Sequence, residues 1–169
     1  MEIIKPKKEW FEDYRKAVIE SFDNNIDEWK PFNPEDYDSW KENILNTYEK
    51  IEKGEHLPEG VFRTITYWCV DKDEFVGEVQ LRPSMNEKDA LLYGHISYAI
   101  AYSKWGKGYG TKILKLILEE AKKLGLKQVY IACHKNNIGS IRVIEKNHGE
   151  FISSNDEYES NVYRKILSI

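Results

Sequence analysis

A mixed α+β fold, with a mostly antiparallel central sheet flanked by helices on both faces, is predicted by three features of this 169-residue chain. Two aromatic-rich stretches with helical period come first. Strand-like segments separated by short polar turns follow, which suggests antiparallel neighbours. A strand, a glycine-rich loop, a strong helix and a further strand then form a unit that suggests a parallel pair. The length suits one domain, 1–169, with a sizeable core.

A short strand is expected at 2–6. Residues 8–22 read as a helix, with Trp10, Phe11, Tyr14, Ala17, Val18 and Phe22 on one broad face. The stretch 23–34 is polar and turn-rich, and a second helix is expected from near Pro34 to near Gly54. Residues 61–70 are β-branched and aromatic and read as a strand. Asp71-Lys72-Asp73-Glu74 is a polar turn, and 75–81 is the strand expected to pair back as a hairpin. Residues 82–89 read as a loop and 91–102 as a third strand. A helix is predicted over 109–124, closed by Gly125. A strand over 128–134 follows. Asn136 or Asn137 caps a helix reaching about Asn147, and strands at 149–153 and 161–167 end the chain.

Charge and composition exclude several classes. The net charge of -4 argues against nucleic acid as the main partner. The longest apolar run is far short of a membrane span. The opening Met-Glu-Ile-Ile-Lys-Pro-Lys-Lys has no apolar stretch behind its charges, so no signal peptide is expected. Cys69 and Cys133 sit in strand-like runs and imply no disulfide framework, so a reducing, cytoplasmic setting is the expectation. The charges are unevenly spread: residues 20–59 hold twelve acidic and four basic residues, and residues 104–146 ten basic and three acidic. Two solvated faces would give the same pattern.

The stretch Trp105-Gly106-Lys107-Gly108-Tyr109-Gly110-Thr111 lies between a strand and a helix. Glycines permit tight turns and close approach to a ligand, and a helix start offers unpaired N–H groups and a positive dipole end. Such a loop suits phosphate, with Lys104, Lys107 and Lys112 adding charge. It lacks the G-x-x-x-x-G-K-[ST] of a P-loop. Its spacing also differs from the dinucleotide G-x-G-x-x-G, and no acidic residue ends the next strand.

These residues resemble the GNAT superfamily of acyl-CoA N-acyltransferases, similar to its ribosomal-protein N-acetyltransferase-like branch. The family signature Gln/Arg-x-x-Gly-x-Gly/Ala is matched at Gly108 and Gly110, with Trp105 in place of Gln or Arg. A second block, residues 137–149, is similar to the family's Asn-x-x-Ser/Ala helix ending in Glu-Lys-x-Gly. The likeness is specific from about Gly77 to Phe151. It implies acetyl-CoA as cosubstrate and transfer of its acetyl group to a primary amine of a small molecule or peptide. Backbone N–H groups of Gly106, Lys107, Gly108, Tyr109, Gly110 and Thr111 would hold the pyrophosphate beside Trp105. Pantetheine would pair with the Ile100 and Ala101 backbone where that strand splays from 128–134. Asn137 and Ser140 would face the pantetheine or thioester, and Asn137 also serves as a helix cap.

Acyl transfer needs a base for the amine proton. Glu78, mid-sheet, and His95, on the adjacent strand, are the candidates. A solvent-facing Glu78 and a satisfied core His95 are the structural alternatives. The family's acid, a Tyr, is replaced by Ile144, which keeps open a CoA-binding sensor or degenerate transferase without activity. His56, His134 and His148 make no metal-ligand spacing with the cysteines, so no metal is expected. The acidic 20–59 segment suggests a cationic amine acceptor, and a monomer or homodimer is expected.

Overall fold

The computed structural model describes residues 1–26 and 37–167, with side chains of the second helix from residue 43 onward. The predicted turn at 23–34 falls largely outside the described residues, as does the start near Pro34. The elements are β1 (Glu2–Ile4), α1 (Phe11–Asp23), α2 (Tyr37–Lys53), β2 (Ile65–Asp71), β3 (Glu74–Leu81), α3 (Glu87–Tyr93), β4 (Ile96–Ile100), α4 (Tyr109–Lys123), β5 (Gln128–His134), α5 (Ile138–Lys146), β6 (Glu150–Asn155) and β7 (Ser160–Ile166). The mixed α+β class is as expected. The strands divide over two sheets, ordered β1-β2-β3-β4 and β5-β7-β6. The parallel pair expected of β4 and β5 is therefore not formed as a strand ladder.

The chain forms two compact units. The first comprises Met1–Gln80 and Tyr98–Tyr109. Its core joins Phe11, Tyr14, Ala17 and Val18 of α1 to Ile44 and Tyr48 of α2, with Trp68, Phe75 and Ala101. Tyr14 stacks on Trp68 at 4.8 Å, and Phe75 meets both rings edge-on. β1 pairs antiparallel with β2, Ile3 opposite Cys69. The β2–β3 turn is the two residues Lys72 and Asp73, both at positive φ (51° and 64°). That is the type I′ geometry whose twist suits a hairpin. β2 starts four residues later than its β-branched run suggests. Thr64 N–H bonds Ile51 C=O and Arg63 Nε–H bonds Glu52 C=O, so residues 63 and 64 dock on the end of α2.

Gly77 in β3 is fixed by close approach. A Cβ there would sit 2.3 Å from the Ala99 carbonyl oxygen. Gly77→Ala is expected to lower stability by about 3 kcal/mol, since backbone cannot yield as a side chain does. Urea denaturation reads this directly, and an unchanged midpoint would refute the steric account.

The second unit comprises Leu81–Ser97 and Gly110–Ile169. β5 and β7 pair antiparallel from Gln128 opposite Ile166 to His134 opposite Ser160. β6 adds to β7 with a register shift between Phe151 and Ser153. α4 turns Ile113, Leu114, Ile117, Leu118 and Ala121 inward. The helix α3 occupies a span that the sequence assigned partly to loop and partly to strand. Asn86 caps it by accepting the Asp89 N–H, and Gly94 (φ 73°) closes it. Ala90 from α3 packs with Tyr130 and Val162. A seven-residue helix is too short to show a period, and Leu91-Leu92-Tyr93 alone resembles a strand. No described helix is long and apolar enough to cross a membrane.

Candidate active site

In the first unit, Glu78 rises from β3 into the aromatic cluster between the sheet and the two leading helices. Its Oε2 accepts the Tyr48 hydroxyl at 2.7 Å and the Trp68 indole N–H at 3.1 Å. Its Oε1 accepts from Gln80 Nε2 at 3.1 Å. Behind Tyr48, the Tyr14 hydroxyl lies 3.2 Å from the Tyr48 hydroxyl. All three donors to the carboxylate are neutral. Burial pushes the Glu78 carboxyl up, and the three hydrogen bonds pull it partly back, leaving it at about 7. A carboxylate poised there gives and takes protons at neutral pH. Both hydroxyls are themselves pushed well up, by burial first and then by the Glu78 charge, so they stay protonated as donors.

The predicted loop follows β4 in the same unit. Residues Tyr102–Lys104 form one 3-10 turn, and α4 begins at Tyr109. Gly106 and Gly108 take φ of 71° and 79°, where side chains are strained, and the space where a Cβ would stand is open at both. The glycines thus serve backbone shape and leave room above it. Neighbouring side chains brace the loop. Lys104 Nζ pairs with Glu74 at 2.8 Å, Lys107 Nζ donates to the Ser103 carbonyl at 2.9 Å, and the Tyr109 hydroxyl donates to Asp71 at 3.2 Å. The Trp105 indole N–H donates to the Ile100 carbonyl at 2.9 Å, while the ring stays about half exposed (49%). Ala101 is committed within the unit: its N–H bonds Val76 C=O, and its carbonyl accepts Lys104 N–H. Lys112, also singled out from the sequence, lies within α4.

His95 belongs to the second unit, just ahead of β4. Its N–H bonds the Tyr130 carbonyl at 2.7 Å, and its Nδ1 accepts the Tyr130 N–H at 3.0 Å. The imidazole thereby takes the ladder hydrogen bond that a backbone carbonyl would otherwise take. Its ring stacks on Tyr130 at 5.8 Å. Burial, and then the Arg82 charge, lower its pKa, so the ring is neutral with its proton on Nε2. The ring is buried, and its Nδ1 is tied to the backbone of β5. Glu78 and His95, treated together in the sequence reading, lie in different units.

Asn137 caps α5 by accepting the Ser140 N–H at 2.9 Å. Asn147 Nδ2 at the other end donates to Val143 and Thr111 carbonyls. Ile144, at the position expected of an acid, is fully buried and packs under Gly149, so it serves the core. Among the described residues no group of His, Cys, Asp or Glu is placed to hold a metal ion. Sequence reasoning missed Tyr48 and Trp68 as partners of Glu78 and Tyr14 as the residue behind Tyr48, having read the tyrosines only by helical period and 61–70 only as a strand. The available signal was chemical: a buried Tyr or Trp needs a partner for its polar end.

The model of the acetyltransferase (GNAT) domain family matches residues 9–150. No curated protein matches the chain by sequence. Several solved structures share the fold. The Salmonella typhimurium acetyltransferase that modifies the N-terminal serine of ribosomal protein L7/L12 is 13% identical with a TM-score of 0.73, over 98% of this chain and 94% of that one. Mycobacterium smegmatis RimJ, solved with CoA-disulfide, is 14% identical with a TM-score of 0.75, over 97% and 80%. The microcin C7 self-immunity acetyltransferase MccE, solved with acetyl-CoA and AMP, is 16% identical with a TM-score of 0.71, over 97% and 91%.

Proposed function

The chain belongs to the GNAT acetyltransferase domain family, and from that membership we propose that it moves an acetyl group from acetyl-CoA to a primary amine of a small molecule or peptide, with Glu78 as general base. The observation that carries the assignment is the Glu78 carboxyl, ringed by neutral donors and poised at about 7. Glu78 takes one proton of the incoming ammonium. The neutral amine nitrogen then bonds the thioester carbon, the C–S bond breaks, the nitrogen loses its surplus proton to solvent, and the CoA sulfur leaves as thiolate and is protonated from solvent. His95, whose Nδ1 accepts the Tyr130 N–H, can take part in the proton relay only through Nε2.

The loop 105–111 is the pyrophosphate site of this reading. Its backbone N–H groups and the first turn of α4 supply donors, and the open space over Gly106 and Gly108 leaves room for the phosphates. Of the two residues expected to meet pantetheine, Ile100 offers its carbonyl once the Trp105 indole releases it, since the Ala101 N–H is already bound. Asn137 and Ser140 stand at the start of α5 for the thioester end. The whole chain acts as one domain, as a monomer or homodimer in the cytoplasm, with no metal, nucleic acid or membrane partner.

The acceptor follows from charge. The acidic 20–59 segment favours a cationic amine: a polyamine, an aminoglycoside-like compound or a basic peptide N-terminus. A neighbour that modifies a ribosomal-protein N-terminal serine supports the peptide option. Thiol release from acetyl-CoA is expected with at least one such amine, and its kcat/KM should fall as salt rises. Reversing Asp36 and Asp38 to Lys, residues whose side chains lie outside the described ones, should weaken that acceptor. A neutral or anionic best acceptor without salt dependence would overturn the charge argument. One observation favours a second reading: Ile144 is buried where the family's acid is expected. Acetyl-CoA binding with no thiol release from any amine would make the chain a CoA sensor.

A further inference from the structure

We infer that Tyr48 is a positioning residue for acetyl transfer, its hydroxyl, backed by that of Tyr14, holding the Glu78 carboxylate ionised and aimed. The inference rests on the reading of Glu78 as base and names what maintains it. Glu78 sits in a cluster with no cation: among the described residues no Lys, Arg or His pairs with it. A half-enclosed carboxylate without a cation keeps its charge only through hydrogen bonds to the ionised form. Tyr48 gives the shortest of the three, 2.7 Å against 3.1 Å for Trp68 and for Gln80.

The direction of the chain of hydroxyls follows from counting protons. Tyr48 has one, and it goes to Glu78. The 3.2 Å contact with Tyr14 is then made by the Tyr14 proton on a Tyr48 lone pair. Donation into Tyr48 strengthens its own donation onward. Tyr14 is fully buried and stacked on Trp68, so the second hydroxyl is held rigidly and does not lead to solvent. The pair therefore tunes and orients the base and does not carry its proton away.

Among the described residues, the titratable groups that feel Glu78 come from three elements: Tyr14 of α1, Tyr48 of α2 and Cys69 of β2. The Cys69 thiol is pushed up by burial first and by Glu78 second, so it stays neutral beside the carboxylate. Trp68 and Gln80 do not titrate. Among the described residues, Glu78 is thus the group of the cluster that changes charge across pH 5–9, and its own ¹³C titration reads it. The arrangement ties the base to α2, because Tyr48 is the donor that this helix supplies.

The test is the pH dependence of kcat/KM, with the acceptor found by thiol release, for wild type, Tyr48→Phe, Tyr14→Phe and Glu78→Gln. Tyr48→Phe should move the acid limb up by about one pH unit, the worth of a hydrogen bond to a charged group. At pH 6 its rate should be about tenfold below wild type, at pH 8 about twofold below, and by pH 9 the gap should close. Tyr14→Phe should move the limb the same way by less. A purely structural role would instead lower the rate equally at all pH values. Carboxyl ¹³C titration of Glu78 in each folded variant gives the same shift without the reaction. Should Tyr48→Phe not fold, Tyr14→Phe, which leaves every donor to Glu78 in place, decides by its shift. An unmoved limb and an unmoved ¹³C midpoint, with Glu78→Gln inactive, would overturn this inference alone. Full activity with an intact acid limb in Glu78→Gln would overturn the base assignment instead.

Discussion

Glu78→Gln is expected to lower kcat/KM by about 10²- to 10⁴-fold, the usual contribution of a positioned base, while acetyl-CoA affinity stays within about twofold. The amide keeps an oxygen for Tyr48 and Trp68, and the Gln80 amide turns over to accept from the new NH₂ group. Geometry is retained and basicity is lost. In wild type the base must be ionised, so the rate should rise with pH through about 7. The same substitution should stabilise the fold, with a sign set by the shift. Between the ordinary value of 4.5 and about 7, the folded protein holds a proton that the unfolded chain has released. Stability therefore falls as pH rises through that window, and the loss persists above it. Removing the ionisable group recovers about 3 kcal/mol at pH 8 and nothing below pH 4. Melting curves of both proteins at pH 4, 6 and 8 check this. A variant less stable than wild type at pH 8 would refute the buried-charge account, and a variant of full activity would refute the base.

Gly108→Val is expected to abolish the stabilisation that acetyl-CoA confers on the wild type. At ligand about 100-fold above Kd that stabilisation is about 2.7 kcal/mol, several degrees in a domain of this size. Gly108 lies at φ 79° with nothing near its absent Cβ. Valine there cannot keep the left-handed backbone without strain, and its methyl groups would fill the open space in which the proposed site seats phosphate. Gly110→Val should act alike, through bulk in the first turn of α4. Strain alone would also lower stability, so a matched control is needed. Gly60 has φ 80° and equally open surroundings away from the loop. Gly60→Val should lose comparable stability and keep the acetyl-CoA shift. If Gly108→Val and Gly110→Val both keep it, the loop does not hold the cosubstrate.

What the sequence revealed depended on how local the cause was. β5 was legible to the residue because Gly125 and Asn137 mark the neighbouring helix ends. The glycine loop was legible because its conformation is set by its own residues. The extent of β2 was not, since Val61, Phe62, Arg63 and Thr64 have strand propensity, but Arg63 and Thr64 donate hydrogen bonds to carbonyls at the end of α2. α3 was hidden because a single Asn cap and a single Gly close it over two turns. Glu78 stood out as a charge in a strand, whereas its partners Trp68 and Tyr48 lie 10 and 30 residues away and show no local signal. His95 stands out in the sequence by its residue type alone. Only its hydrogen bond with Tyr130, 35 residues on, reveals that the ring is part of the strand architecture.

The two cysteines have a practical bearing on how turnover is followed. Cys69 is fully buried and its thiol is pushed up, while Cys133 is half-buried and pushed to about 11 by burial. The thiolate is the species that attacks aromatic disulfide reagents. At pH 7–8 each side chain is overwhelmingly in its unreactive form, whereas free CoA-SH has an ordinary, fully solvated thiol. A chromogenic disulfide can therefore be present throughout the reaction, consuming released CoA as it forms and sparing the protein, so a continuous colour trace counts turnovers with almost no background from the catalyst itself.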